Sequence, residues 1–238
     1  MRQKLDVIAM HGWAGDARCW EVWRPLTEPS GWRWATGERG YSELPPRTPA
    51  WAEPSTGTRR LVIGHSLGPH MVPADVLAQA EAVVLLASFA AFVPPGGEGR
   101  RARAALAGMG ACLDDEVRAR EMLTNFMQKV ADPQSPDLLP PGAADGPLDE
   151  ANRSRLREDL GLLENCAGLP EGFPGRAKVL IVEAEADRIV APGARAMLRA
   201  ALPDAEVITL PECGHALLGG GAIGRVTDWV AAWGAAER

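Results

Sequence analysis

Apolar positions along this chain of 238 residues gather in short, nearly unbroken runs. Residues 5–10, 82–87 and 178–182 are the clearest, 206–210 closes the set, and 32–36 is weaker. Residues 60–63 lead into Gly64-His65-Ser66-Leu67-Gly68. Such runs lack the strict alternation of a half-exposed strand. They predict strands covered on both faces, and so a parallel sheet joined by crossover connections. Helical patterns follow several of them, over 69–80, 192–202 and 223–233. Strands alternating with helices predict an α/β layered fold.

Two stretches break the alternation. Residues 37–58 are rich in Pro, Gly and Ser where a crossover helix is expected, which predicts an irregular connection. Residues 88–177 hold no strand pattern and are too many for a loop. Helical patterns over 100–108, 113–130 and 148–165, punctuated by Pro-Pro at 94–95 and 140–141, predict a helical cap over the sheet's ends. The expected organisation is a core of 1–87 and 178–238 with a cap insertion at 88–177.

Composition adds exclusions. Hydrophobic residues at 46% and charged residues at 24% suit a globular core. With Lys+Arg 25 against Asp+Glu 31, the net charge is −6, which argues against nucleic acid or an anionic membrane as general partners. The four cysteines, at 19, 112, 166 and 213, form no CxxC or zinc-finger spacing, so free thiols in a reducing compartment are expected. The longest apolar stretch, 82–93, is shorter than the roughly 20 residues that span a bilayer. The apolar run at 7–10 is too short for a secretory signal. The expectation is a soluble, cytoplasmic protein.

The chemical signal is the G-x-S-x-G at Gly64–Gly68, with a strand before it and a helical pattern after it. A strand turning at once into a helix exposes the Ser66 hydroxyl at the sheet's edge, and glycines on either side leave room for neighbours. A serine is a weak nucleophile until a base takes its proton. Of the histidines at 11, 65, 70 and 215, His215 suits that role, because Glu212-Cys213-Gly214-His215-Ala216 forms a turn after the last strand. His65 is expected to point elsewhere, His70 to pack or cap, and His11 to hold its loop. Asp187, in the turn after strand 178–182, is the candidate orienter of His215, with Glu183 and Glu185 as rivals by charge. Two backbone N–H groups must meet the developing oxyanion. Leu67 supplies one, and Trp13, in the loop after the first strand, is the candidate for the other.

These residues resemble the α/β-hydrolase superfamily: HGW after the first strand, GHSLG, EADRIV and ECGHA. The order Ser66, Asp187, His215 is that superfamily's order. Within it, HGWAGDARCWEVW, GHSLGPHMVP with VVLLASFAAFVPP, and LGLLENCAGLP resemble the cyanobacterial branch of the pimeloyl-acyl-carrier-protein methyl ester carboxylesterases of biotin synthesis. The resemblance implies an α/β-hydrolase fold, a serine esterase without metal or cofactor, and an acyl carrier protein as the partner that presents the substrate. It implies docking on cap arginines, with Arg118 best matching the family's position, although acidic cap residues such as Asp114, Asp115 and Glu116 dilute the charge. Against the family's pattern, no hairpin is expected before the first strand, and the connection at 37–60 is Pro-rich where a helix is usual. Trp13, Trp20 and Trp23 are candidates to line an acyl pocket, with packing of a helix on the sheet as the alternative for the latter two. Phe89 and Phe126 are candidates to touch substrate, whereas Trp229 and Trp233, at i,i+4, are expected in the core. Two alternatives stay open: a general short-chain carboxylesterase or thioesterase, and a catalytically inactive hydrolase fold acting as a ligand receptor. Dehalogenases and epoxide hydrolases use Asp where Ser66 stands.

Overall fold

The computed structural model describes residues 4–53, 56–218 and 221–236. Six strands, β1 (Lys4–Met10), β2 (Trp32–Thr36), β3 (Thr58–His65), β4 (Ala82–Leu86), β5 (Lys178–Ala184) and β6 (Glu206–Leu210), form one sheet. Their order is β2-β1-β3-β4-β5-β6, and every neighbouring pair is parallel. The α-helices among the described residues are α1 (Arg24–Thr27), α2 (Gly68–Met71), α3 (Ala74–Leu77), α4 (Gly96–Cys112), α5 (Glu116–Ala131), α6 (Glu150–Asn165), α7 (Pro192–Ala201) and α8 (Ala222–Ala236). This is the α/β-hydrolase fold.

The continuous apolar runs have a direct physical reading. Successive side chains of a strand point to opposite faces. Leu61, Ile63, Val84 and Val182 therefore join Val226, Val230 and Trp233 of α8 in one buried layer. Val62, Val83, Leu85 and Ile181 join Leu77 of α3 and Leu198 of α7 in the other. Each fully buried Leu, Ile or Val contributes roughly 1.5–3 kcal/mol relative to exposure.

A third apolar cluster lies beyond the strands' C-terminal ends. There Leu106 of α4, Leu123 of α5 and Leu156 and Leu160 of α6 meet Trp13, Leu67 and Phe89, which follow β1, β3 and β4. All three of these helices lie between β4 and β5 in the chain, where the helical patterns place them.

The expected helix over 69–80 is instead two short ones, α2 and α3. Val72 between them is extended, at φ −77° and ψ 132°. Pro73 is the cause, since its ring disfavours helical backbone in the preceding residue. The connection after β2 is irregular as expected, with one isolated antiparallel bridge between Glu38 and Arg47. Polar contacts lock it in place. Arg39 donates to both oxygens of buried Asp159 on α6, each at 2.8 Å, and the Tyr41 hydroxyl donates to the same carboxylate.

Candidate active site

The turn at Ser66 is built by close approach. β3 ends at His65 and α2 begins at Gly68, leaving Ser66 at φ +55°. A non-glycine residue held there stores on the order of 1–3 kcal/mol of strain, which the surroundings must over-determine. They do so from two sides. The Ser66 N–H donates to the Leu86 carbonyl at 2.8 Å, and the Ser88 hydroxyl donates to the Ser66 carbonyl at 2.7 Å. A Cβ at Gly68 would stand 2.2 Å from the Met10 carbonyl oxygen, and one at Gly64 would stand 2.4 Å from Cγ of Pro69. Only bare backbone lets α2 start this close to β1.

Asp187 and His215 meet across the ends of β5 and β6. Nδ1 of His215 lies 2.9 Å from Oδ2 of Asp187, and both side chains are buried. Oδ1 of Asp187 accepts the N–H groups of Ile189 and Val190 at 2.7 and 2.9 Å. Burial alone would raise the Asp187 carboxyl. The charge of His215 and these hydrogen bonds outweigh it and hold the group below its ordinary value. The rivals are engaged elsewhere. Glu183 pairs with Arg199 on α7, and Glu185 accepts the Glu212 N–H at 3.1 Å.

His65 does not point away from the site. Its Nε2 donates to the His215 carbonyl at 2.9 Å, and the two rings lie 5.0 Å apart. Burial, then the proximity of His215, pushes His65 down to about 4, so the ring is neutral at neutral pH. His70 packs as expected, stacked on Phe89 with Nε2 on the Phe89 carbonyl at 3.0 Å. His11 holds its own loop, with Nδ1 2.8 Å from the Gly12 carbonyl and Nε2 accepting the Arg39 N–H at 3.2 Å.

Gln134 has no sequence signature, yet it braces the His215 turn. Its Nε2 donates to the Glu212 carbonyl at 2.6 Å and its Oε1 accepts the Gly214 N–H at 3.2 Å. The Ala216 N–H donates to the Val130 carbonyl at the end of α5, at 3.0 Å. Only the fold brings these positions together.

Ser66 and His215 open onto one cavity of about 590 Å³, lined also by Trp13, Trp20, Trp23 and Phe126. Trp20 and Trp23 thus serve in both ways considered for them, since they also pack with Leu5, Leu61 and Ile63. Phe89 does not line this cavity. It is buried between the rings of His70 and Phe92, because the turn after β4 directs it under the helices. Gly12 lies against the Ser66 turn, since a Cβ there would be 2.9 Å from that of Ser66. This sets Trp13 beside Ser66, while its indole N–H donates to the Leu156 carbonyl of α6 at 2.9 Å. Leu67 stands at the start of α2. Arg118 is exposed on α5, and its backbone N–H is capped by Asp115. Among the described residues no His, Cys, Asp or Glu cluster has metal-binding form, and no helix is long and apolar enough to cross a membrane.

A parallel sheet, a strained serine at a strand-to-helix turn and a carboxylate-held histidine on the same cavity define a hydrolase-type site. The profile of the alpha/beta hydrolase family matches residues 7–222, and the chain belongs to that family. Among solved structures it is similar to an esterase from Exiguobacterium antarcticum, with a TM-score of 0.65 and 12% identity over 98% of this chain and 92% of that one. It is also similar to a bromoperoxidase from Bacillus anthracis, with a TM-score of 0.60 and 17% identity over 93% and 87%. An esterase from Rhodococcus sp. ECU1013 gives a TM-score of 0.59 and 17% identity over 97% and 92%. At such identities the likeness is one of fold. No curated protein matches this sequence.

Proposed function

We propose that the protein is a serine carboxylic ester hydrolase. The observation that carries this reading is the buried Asp187–His215 pair opening on the same cavity as Ser66. Ser66 Oγ attacks the ester carbonyl carbon as Nε2 of His215 takes its proton. Asp187 holds Nδ1–H, fixes the tautomer and stabilises the imidazolium that forms. The N–H groups of Trp13 and Leu67 receive the negative charge on the carbonyl oxygen. His215 then gives the proton to the departing alcohol. A water, deprotonated by the same histidine, cleaves the acyl-enzyme and frees the acid and Ser66.

The reading is tested with a fluorophosphonate label and p-nitrophenyl ester hydrolysis. Labelling at Ser66, with both signals lost in Ser66→Ala, is the expected result. An unlabelled Ser66 in folded protein would favour the ligand-receptor alternative.

The finer reading is hydrolysis of the pimeloyl-acyl-carrier-protein methyl ester. Its support is the resemblance of the motifs, the largely apolar lining of the cavity and exposed arginines on α4 and α5. Arg100, Arg101, Arg103 and Arg118 are exposed, whereas Arg120, Arg153, Arg155 and Arg157 bond within the protein. Cationic side chains suit an acidic carrier protein. Rescue of a biotin auxotroph lacking its pimeloyl esterase tests this reading. Failure of rescue by soluble protein that Ser66-directed reagents still label would leave the general carboxylesterase or thioesterase.

A further inference from the structure

The cavity continues from the reacting centre to solvent, and its outer end is apolar. Val22, just before α1, and Leu26, within it, are each 63% exposed, and Leu138 is 62% exposed. All three line the same cavity as Ser66 and His215. Water-exposed aliphatic side chains gathered at a cavity mouth mark a surface that something apolar covers. Farther in, the wall is Trp13, Trp20, Trp23 and Phe126. Among the described residues the lining holds no lysine, arginine or glutamate. Its single aspartate, Asp16, is already engaged by Arg18 and by the Ser42 hydroxyl. Among the described residues of the lining, no lysine or arginine is available to pair with a carboxylate.

The size of the space sets a scale. At roughly 30 Å³ for a water-sized group, the 590 Å³ cavity holds about 20 such groups. An acetyl group would leave most of it unfilled.

Resting on the ester-hydrolase reading above, we propose that the substrate is an ester bearing an uncharged chain of medium or greater length. The chain lies along the tryptophan-lined cavity and leaves the protein between Val22, Leu26 and Leu138, which set the chain-length preference. This narrows the general alternative away from short-chain esters. It also predicts rejection of any ester whose far end is a free carboxylate, since burying that charge without a partner is costly. A chain whose far end is masked, as in a thioester, is accepted.

The test compares p-nitrophenyl acetate with p-nitrophenyl octanoate, and methyl octanoate with the monomethyl ester of suberic acid. Each buried methylene is worth about 0.8 kcal/mol, or roughly fourfold. The wild-type protein should prefer octanoate to acetate in kcat/KM by about tenfold or more. It should prefer methyl octanoate to the suberate half-ester by at least about tenfold. Leu26→Asp combined with Leu138→Asp should lower the octanoate-to-acetate ratio by about tenfold. Both positions are largely exposed, so these changes remove little core packing.

A flat or falling chain-length profile would overturn the proposal, and so would equal turnover of the suberate half-ester or an unchanged ratio in the double variant. Tryptophan fluorescence of Ser66→Ala titrated with methyl octanoate and with methyl acetate reads chain binding without turnover. Preference there for the longer ester supports the channel even where the hydrolase reading fails. Equal affinity overturns the channel even where acetate hydrolysis upholds the hydrolase.

Discussion

The side chain of Gln134 grips the turn at Gly214, with Oε1 accepting the Gly214 N–H at 3.2 Å while Nε2 donates to the Glu212 carbonyl at 2.6 Å. The turn it grips carries His215, so the segment after α5 holds the imidazole against Asp187. Gly214 itself fits only because it lacks a side chain, since a Cβ there would be 2.0 Å from the Asp132 carbonyl oxygen. On the proposed ester-hydrolase reading, Gln134 is a positioning residue. Gln134→Ala should lower kcat by about tenfold or more with little change in KM, since misplacement of a catalytic group acts on the chemical step. Gln134→Glu keeps an acceptor for Gly214 but sets a second acceptor against the Glu212 carbonyl, so it should not restore kcat. Steady-state kinetics on one ester would read both. A rise in KM alone would assign Gln134 to binding instead.

Asp187→Asn preserves shape but offers an N–H or a neutral carbonyl where a carboxylate accepted. His215 then loses the partner that selects its Nδ1–H tautomer. The expected fall in kcat is on the order of 10⁴. Circular dichroism and thermal melting should show a folded protein, which separates loss of chemistry from loss of structure.

His65 makes stability depend on pH. An unfolded histidine titrates near 6.5, whereas burial and then His215 depress folded His65 to about 4. Between those values the unfolded chain binds the extra proton, so stability rises with pH. The contribution is complete above about 6.5 and is lost as pH falls toward 4. Its span is on the order of 3 kcal/mol. His70, also depressed by burial, acts with the same sign. Urea unfolding across this range should show a steep acid-side decline, and His65→Gln should flatten it. An equally steep decline in that variant would assign the slope to other groups.

Two glycines separate close approach from helix propensity. Gly68→Ala would drive a Cβ into the backbone of Met10, which has no flexible end to move. The expected cost is about 3 kcal/mol or more, with activity lost as the Ser66 turn opens. Gly108, inside α4, has nothing within 4 Å of an added Cβ. Gly108→Ala should stabilise by roughly 0.5–1 kcal/mol. Denaturant melts of the two variants should move in opposite directions.

The local order of this chain was legible in its sequence. Near-continuous apolar runs marked β1, β4 and β5 because both faces of these inner strands are covered, whereas β2 and β6, at the sheet's edges, leave Arg33, Val207 and Thr209 exposed and read more weakly. The G-x-S-x-G marked the turn because its glycines answer a steric demand within a few residues. The helix expected over 69–80 was misjudged although the cause is local, since Pro73 disfavours helical backbone at Val72 and divides α2 from α3. Asp187 and His215 were legible as positions at strand ends, but their 2.9 Å contact is a product of the sheet order that sets β5 beside β6. His65 turning to the His215 carbonyl, Gln134 bracing the same loop and Phe89 stacking under the helices left no sequence trace. These contacts join residues far apart in the chain, and only packing decides which of many polar or aromatic side chains meet. The same holds for the apolar mouth, where Val22, Leu26 and Leu138 read as ordinary aliphatic residues until the fold placed them around one opening.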